Sequence, residues 1–208
     1  MEKQLILNGD YYDSNCMLPH SSIYEDSDGT KEFALNTIHF ADGILFINGM
    51  INTDMSLKFV SCMLKLSKER RKTQIFIDSD GGEVNAGMVM YDTIQSFKYE
   101  IEMFCIGRAS SMAAVLLAGG QKGRRYILPH SKVIIHEPLI ASGISGSASS
   151  IEKTAQRILE VRNITNGILA KHTGHTLEEI NKATEFENEM TAEQAVEFGI
   201  CDEIRYLF

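Results

Sequence analysis

The sequence of 208 residues has no tryptophan, only three prolines and only four cysteines. Cys16, Cys62, Cys105 and Cys201 are too scattered for the C-x-x-C spacing of metal or redox sites, so we expect reduced thiols. No stretch reaches the roughly 18 uncharged apolar residues of a membrane helix, and the first residues, MEKQLILNGDYYDSN, carry acid where a signal peptide needs a basic end. We therefore expect a cytoplasmic protein with no membrane partner.

Basic residues are also in short supply. Lys and Arg number 20 against 28 Asp and Glu, which gives a formal net charge of −8. The densest basic runs are KERRK at 68–72 and KGRR at 122–125. Because duplex binding needs clustered Lys and Arg, we interpret both runs as solvated loop ends and predict no nucleic-acid partner.

Short apolar runs alternate with helix-length segments from residue 44 onward. The predicted strands are GILFING, TQIFID, IEMFCIG, RRYILP and KVIIHEP, and the predicted helices are TDMSLKFVSCMLKLSKE, EVNAGMVMYDTIQSF and SSMAAVLLAGG. This alternation predicts an α/β fold with βαβ crossovers and a largely parallel sheet. Residues 1–36 show no sustained period beyond a possible short strand at QLILN, and we interpret them as an arm or loop.

The last third of the chain predicts helices. Apolar or small residues recur at steps of three and four along 147–172, which indicates one helix of roughly 35–40 Å. A helix of that length is expected to pack against a partner subunit or another element. Capping boxes at Thr176 with Glu179 and at Thr191 with Gln194 predict two further helix starts.

Three segments carry residues suited to chemistry. IDSDGGEVNAG at 77–87 has a glycine pair before a helix, where backbone amides can face an anion. Ser110 and Ser111 stand where a strand ends and a helix begins, and His136 ends an apolar strand. Taken singly, these features also fit a tight turn, a helix cap and a polar strand end. Their order, followed by carboxylates at 185–189, predicts the oxyanion donors, nucleophile, base and acid of a serine hydrolase.

The stretch from about residue 75 to residue 201 resembles the ClpP family, the proteolytic subunits of Clp proteases, within the ClpP/crotonase-like fold. The matching segments are DSDGGEVNAGMVMYDTIQ, CIGRASSMAAVLLAGGQKGRRYILPHSKVIIHEPL, GISGSASSIE and MTAEQAVEFGICDEI. The resemblance implies repeated ββα units with a largely parallel sheet and a protruding long-helix handle at about 140–172. It also implies one protease domain at 37–208, preceded by an arm or axial-loop region at 1–36.

The resemblance also implies the site residues. Ser111 would be the nucleophile, His136 the general base, and the amides of Gly82 and Met112 the oxyanion hole. Glu187 stands where the family has its triad aspartate, with Glu185 and Glu189 as fallback candidates. A substrate strand would lie between 82–84 and 139–141, along Gly81, Glu83, Val84, Leu139, Ile140 and Ala141.

Several positions depart from the family pattern. Glu187 is one methylene longer than the aspartate it replaces. Asp80 replaces a proline and places an acid near the proposed oxyanion hole, where it disfavours a second negative charge. Phe186 replaces an arginine that helps to couple two rings, and the segment before residue 40 does not resemble the axial-loop region.

The resemblance implies a serine endopeptidase of an ATP-dependent Clp protease that cleaves unfolded polypeptides inside two stacked heptameric rings. The rings are homomeric or include another ClpP-like subunit, and the expected partner is an AAA+ unfoldase of the ClpX or ClpA/ClpC type. No cofactor or metal is implied. The alternatives are a weakly active or inactive paralogue that acts in hetero-assembly, a phage-type maturation or signal-peptide peptidase, and a crotonase-like acyl-CoA enzyme. The serine of ASSMA with the histidine of IIHEP argues against the last of these.

Overall fold

The computed structural model describes residues 4–6, 12–13, 16–19, 21–26, 29–139 and 145–207. The chain divides into two compact units, residues 1–45 and residues 46–208.

The first unit contains short strands and one helix: β1 (Gln4–Ile6), β2 (Tyr12–Asp13), β3 (Cys16–Pro19), β4 (Ser21–Asp26), β5 (Gly29–Ala34) and α1 (Leu35–Ala41). Strands β1, β4 and β5 form an antiparallel sheet in that order, and β2 pairs with β3. The sequence predicted an arm or loop here with a possible short strand at QLILN, which is where β1 lies. Strands β4 and β5 were not predicted, and they pair along their whole length, from Ser21 with Ala34 to Asp26 with Gly29. This sheet is formed by backbone pairing between neighbouring segments, and the pattern of apolar residues in the sequence does not indicate its strands.

The second unit follows the predicted alternation of strands and helices. Its strands are β6 (Ile44–Ile51), β7 (Thr73–Gly82), β8 (Ile101–Ser110), β9 (Arg125–Ile127), β10 (Lys132–Ile135), β11 (Asn188–Met190) and β12 (Glu203–Ile204). Strand β6 begins two residues before Phe46, the first residue of this unit. Its helices are α2 (Thr53–Lys68), α3 (Val84–Ser96), α4 (Met112–Ala118), α5 (Ala148–Thr173), α6 (Leu177–Thr184) and α7 (Ala192–Glu197). All the strands and helices predicted from residue 44 onward are therefore confirmed, with small shifts of their ends.

The main sheet is largely parallel, as the sequence predicted. Its order is β11-β10-β8-β7-β6, with β9 beside β8 and β12 beside β9. Strand β8 runs parallel to β7, β9 and β10, β12 runs parallel to β9, and β11 is antiparallel to its neighbour β10. This is the α/β class expected from the alternation of strands and helices.

The core lies between this sheet and the helices. In β7 alternate residues are buried, and Ile75 and Ile77 are completely so. Every residue of α4 is buried, because its alanines let the helix approach the sheet closely. The ends of β7 and β8 and the start of α4 are therefore held by dense packing.

The long helix α5 is confirmed, but the face that it buries is not the one formed by the apolar and small residues that recur at steps of three and four. It has 26 residues, begins after the capping side chain of Ser147 and ends at Gly174 in a left-handed conformation. Its buried residues are Thr165, Asn166 and Leu169, while Ile151 and Ile164 of the predicted stripe are exposed. Both predicted capping boxes are present, at the starts of α6 and α7. Among the helices of the described ranges, none is long and apolar enough to cross a membrane.

Candidate active site

Ser111 occupies a strained turn between a strand and a helix. Strand β8 ends at Ser110, helix α4 begins at Met112, and Ser111 between them has φ 54° and ψ −123°. A non-glycine residue in a sparsely populated conformation of this kind costs about 1–3 kcal/mol. The Ser111 amide donates to the carbonyl oxygen of Ile134 on β10, at 2.8 Å.

The hydroxyl of Ser111 does not cap the helix that it precedes. Ser111 holds the N-cap position of α4, but its side chain makes no capping hydrogen bond within the described part of the chain. Of the alternatives left open by the sequence, the helix cap therefore lacks its defining contact. The hydroxyl stays available at the surface of the neighbouring pocket, which Ser111 lines.

The glycine pair lies directly against the serine. Gly81 has φ 86°, and a Cβ placed on it would lie 2.8 Å from the Cβ of Ser111 and 3.0 Å from the amide nitrogen of Met112. Gly82 has φ 151°, and a Cβ there would overlap the carbonyl oxygen of Ile51. Only glycine fits either position, because a side chain would collide with backbone atoms that cannot move independently.

Hydrogen bonds from neighbouring strands hold the glycine turn. The hydroxyl of Ser79 accepts from the Gly81 amide at 3.1 Å and donates to the carbonyl oxygen of Gly49 at 2.5 Å. On the other side of the pair, the Glu83 amide donates to the carbonyl oxygen of Ile51 at 2.9 Å. The turn is thus tied to β6 on both sides of the predicted oxyanion donor, the Gly82 amide.

His136 follows the last residue of β10 and lines the same pocket as Ser111. Its Nδ1 lies 2.6 Å from the carbonyl oxygen of Glu137. Because a carbonyl oxygen only accepts, this contact assigns the ring hydrogen to Nδ1 and leaves a lone pair on Nε2. That tautomer is the one a general base needs if Nε2 is to take a proton from a serine.

The pocket that contains Ser111 and His136 is mostly apolar. Helix α4, strand β10 and helix α5 contribute most of its lining: Val84, Met112, Val115, Ile135, Pro138, Thr165, Asn166 and Leu169. A hydroxyl and an imidazole on an apolar wall form a site where charge separation is poorly screened by water.

The backbone brings Glu187 and His136 to the same end of the β10 and β11 pair. In the antiparallel pair of β10 and β11, Ile135 faces Asn188, so the next residues on each chain are His136 and Glu187. Beyond these residues the register shifts by two, since the Glu137 amide donates to the carbonyl oxygen of Thr184 at 2.8 Å. Glu187 itself is exposed, and within the described residues its carboxylate is not hydrogen bonded to the imidazole.

The fallback carboxylates have other roles or positions. Glu189 accepts from Nζ of Lys132 at 2.7 Å, and this contact holds the pKa of Glu189 below its ordinary value. Glu185 is the C-cap residue of α6. Glu187 is therefore the carboxylate that the strand register favours.

The predicted substrate-binding residues have different surroundings. Gly81 lies against Ser111. Val84 lines the pocket, and Glu83 accepts from Oγ1 of Thr53 at 3.0 Å. Leu139 is 77% exposed. Ile140 and Ala141 lie outside the described residues.

The sequence analysis missed a buried polar cluster beside the pocket. Asn166 of α5 is 1% exposed, and its Nδ2 donates to Oδ1 of Asn181 at 2.8 Å and to Oγ1 of Thr184 at 3.0 Å. Nearby, Nη1 of Arg162 lies 3.2 Å from Oε2 of Glu137. These contacts tie the long helix to the residues that flank His136 and Glu187, and their polar character hid them from a search for apolar periods.

A buried ion pair anchors the far end of α4. Arg125 is 2% exposed, and its guanidinium donates to a carboxylate oxygen of Asp202 at 2.6 Å. The guanidinium also donates to the carbonyl oxygen of Ala118 at 3.0 Å and to the carbonyl oxygen of His172 at 3.3 Å. Burial by itself raises the pKa of Asp202, but the hydrogen bonds and charge of Arg125 outweigh it and lower the pKa. The helix that begins after Ser111 is thus fixed at both ends.

The described cysteine side chains are free thiols. Cys62, Cys105 and Cys201 form no disulfide, and burial raises the pKa of Cys105 to about 12. In the part of the chain that the structure describes, no group of three or more His, Cys, Asp or Glu residues could hold a metal ion.

A serine on a strained strand-to-helix turn, a histidine on the adjacent strand and a glycine turn against the serine form an arrangement typical of serine hydrolases. A family model described as Clp protease matches residues 28–206, which is most of the chain. The chain therefore belongs to the Clp protease family, and this membership supports a ClpP-like peptidase.

Proposed function

We propose that this chain is the proteolytic subunit of an ATP-dependent Clp protease and cleaves peptide bonds of unfolded polypeptides as a serine endopeptidase. The observation that carries the proposal is the strained turn at Ser111, which presents its hydroxyl to the pocket that His136 also lines. The hydrogen on Nδ1 of His136 leaves Nε2 as the proton acceptor.

The reaction then proceeds through an acyl-enzyme. Nε2 of His136 takes the proton of the Ser111 hydroxyl while Oγ attacks the peptide carbonyl carbon, and the carbonyl oxygen becomes an oxyanion. The amides of Gly82 and Met112 donate to this oxyanion. Collapse breaks the carbon–nitrogen bond, and the imidazolium returns its proton to the leaving amine. Water, deprotonated by His136, hydrolyses the ester and regenerates Ser111.

Glu187 is the proposed orienting acid. The position of Glu187 supports this role, because Glu187 and His136 adjoin Asn188 and Ile135, the last paired residues of β11 and β10. Its added negative charge would stabilise the imidazolium better than the neutral carbonyl of Glu137 does.

The substrate is proposed to lie as an extended strand between residues 82–84 and 139–141. Backbone hydrogen bonds would provide most of the binding, which fits a protease that accepts many unfolded sequences. The pocket beside Ser111 would take the side chain that precedes the cleaved bond.

The working enzyme is proposed to be an assembly of two stacked heptameric rings, homomeric or with a second ClpP-like subunit, served by an AAA+ unfoldase. The support in this chain is helix α5, which extends about 39 Å over its 26 residues and exposes Ile151, Leu159 and Ile164. Apolar side chains along a long helix are expected to be covered by another subunit. A particle of monomer mass in light scattering would contradict the rings.

A weakly active subunit is the second candidate. The contact between His136 and the carbonyl of Glu137, together with the exposed Glu187, favours it. A carbonyl holds the tautomer but lacks the charge that stabilises an imidazolium.

Labelling with a fluorophosphonate probe, followed by mass spectrometry, tests the enzyme and distinguishes the two candidates. We expect modification at Ser111 that is lost in Ser111→Ala and His136→Ala. Ser110→Ala is the matched control, because Ser110 is the neighbouring serine and lies at the end of β8. A well-folded protein that is not labelled at Ser111 would rule out the active peptidase, and slow labelling without peptide turnover would favour the weak one.

A further inference from the structure

An ion pair stands directly beside the glycine turn. Asp80 precedes Gly81, and its Oδ1 lies 2.7 Å from Nη1 of Arg108. Arg108 belongs to β8, three residues before Ser111. The pair thus joins the strand of the proposed nucleophile to the turn of the proposed oxyanion donors.

Asp80 creates an electrostatic problem for the proposed reaction. Its Cα lies at most about 7 Å from that of Gly82, because two residues of extended chain span no more. The transition state places a negative charge beside the Gly82 amide, and the carboxylate of Asp80 would repel it. The repulsion would raise the barrier to the chemical step without affecting the neutral substrate.

Arg108 is the basic residue positioned to cancel this charge. Its backbone amide donates to Oδ1 of the neighbouring Asp78 at 3.0 Å, so the residue is held to β7 whatever its side chain does. Across the parallel register Lys132 lies opposite Arg108, but its ammonium pairs with Glu189 at 2.7 Å. Within the described residues, the guanidinium of Arg108 is the cation found in contact with Asp80.

The pair of Asp80 and Arg108 is too exposed to contribute much to the stability of the fold. The side chain of Arg108 is 52% exposed and that of Asp80 is 76% exposed. Exposed pairs contribute little to folding stability, because water screens them and ordering two side chains costs entropy. A contribution to the reaction is therefore separable from a contribution to the fold.

We propose that Arg108 is a positioning residue of the oxyanion site: it holds the carboxylate of Asp80 and cancels its charge, so that a second negative charge can form beside Gly82. The inference rests on the proposed peptidase activity. It accounts for an acid that stands next to oxyanion donors in this chain.

The test is a mutant cycle on peptide turnover at low ionic strength. Arg108→Ala should lower kcat by about 3- to 30-fold, as expected for two unit charges about 8 Å apart at effective dielectric constants between 20 and 80. KM should stay unchanged, because the oxyanion exists only after attack. The double variant Arg108→Ala with Asp80→Asn should recover most of the loss, and Arg108→Lys should retain most of the activity.

Salt and a remote pair provide the controls. Raising the ionic strength should shrink the deficit of Arg108→Ala relative to the wild type at the same salt. Lys65→Ala removes a similar exposed ion pair, Lys65 with Glu69 at 2.7 Å on α2, and should leave kcat as it is. Thermal unfolding of each variant checks that the fold is retained.

The outcomes separate the inference from the proposed function. An active wild type whose kcat is unaffected by Arg108→Ala overturns the inference alone. So do equal losses in Arg108→Ala, Asp80→Asn and the double variant, which indicate a structural tie instead of charge cancellation. A wild type with neither turnover nor labelling of Ser111 overturns the peptidase proposal and this inference with it.

Discussion

The serine side of the candidate site, residues 79–84 and 108–118, and its carboxylate side, residues 184–190, are held by different kinds of contact. On the serine side, backbone atoms touch so closely that Gly81 and Gly82 admit no side chain, and helix α4 is completely buried. On the carboxylate side, Glu185, Phe186 and Glu187 are exposed. Backbone packing therefore fixes the position of the proposed nucleophile and oxyanion donors, while the proposed acid lies on a short surface segment.

This difference predicts different responses to substitution. At the tightly packed positions of the serine side, Gly81, Gly82 and α4, a change should affect both the fold and the chemistry, because no neighbour can move away. On the carboxylate side a change should affect chemistry alone and in graded steps, because Glu187 has rotatable bonds and is bordered by solvent.

The largest expected effect is the removal of the nucleophile. Ser111→Ala and Ser111→Gly should each lower kcat by about 10⁶-fold, the loss seen when such a serine is removed from a serine protease. Their stabilities should differ, since glycine relieves the positive φ of residue 111. We expect the glycine variant to unfold at a higher temperature than the alanine variant. Equal melting temperatures would argue against strain at this turn.

The acid side should respond less strongly. Glu187→Ala should lower kcat by about 10³- to 10⁴-fold if the carboxylate orients His136, and Glu187→Asp should retain or raise the activity. Melting temperatures should not change, because the residue is exposed. Glu185→Ala is the matched control on the same segment. Full activity in Glu187→Ala would assign the orienting role to the Glu137 carbonyl instead.

A glycine substitution tests the packing of the serine side. Gly82→Ala should lower kcat by at least about 100-fold, since a shift of about 1 Å in a catalytic array costs that much, and should lower the melting temperature as well. Gly167→Ala is the control, because nothing lies within 4 Å of the added Cβ and residue 167 lies inside α5. That control should be neutral or stabilising by up to about 1 kcal/mol. A Gly82→Ala protein with normal activity would show that the backbone of the glycine turn can shift to accommodate a side chain.

The smallest expected effect concerns the anchor of α4 at acid pH. The pKa of Asp202 is lowered in the folded protein, so its contribution to stability is present above the unfolded pKa of about 3.9 and is lost as the pH falls through the folded pKa. The melting temperature should therefore fall below about pH 4, and less steeply in Asp202→Asn than in the wild type. Glu189→Gln removes an exposed carboxylate whose pair with Lys132 is screened by water, and should flatten the curve less than Asp202→Asn does. Parallel curves for wild type and Asp202→Asn would contradict the anchor.

The sequence predicted most of the second unit because its signals are local. Alternating apolar runs marked β7, β8 and β10, and the capping boxes at Thr176 and Thr191 marked the starts of α6 and α7. In the first unit β1 lies in the possible strand at QLILN, but β4 and β5 escaped prediction, since they depend on pairing between segments and not on a hydrophobic period. The buried face of α5 escaped as well, because Thr165 and Asn166 are buried through hydrogen bonds.

The sequence alone determined the order of glycine pair, serine and histidine, the α/β alternation and the acidic character of the segment near residue 187. Only the tertiary structure decided that Gly81 packs against Ser111, that Nδ1 of His136 lies against the Glu137 carbonyl, that Glu187 adjoins the end of the β10 and β11 pair and that Arg108 holds Asp80. The physical reason is that residue types and short spacings are properties of the chain. Contacts between β7, β8, β10 and β11 exist only after distant segments have paired into one sheet.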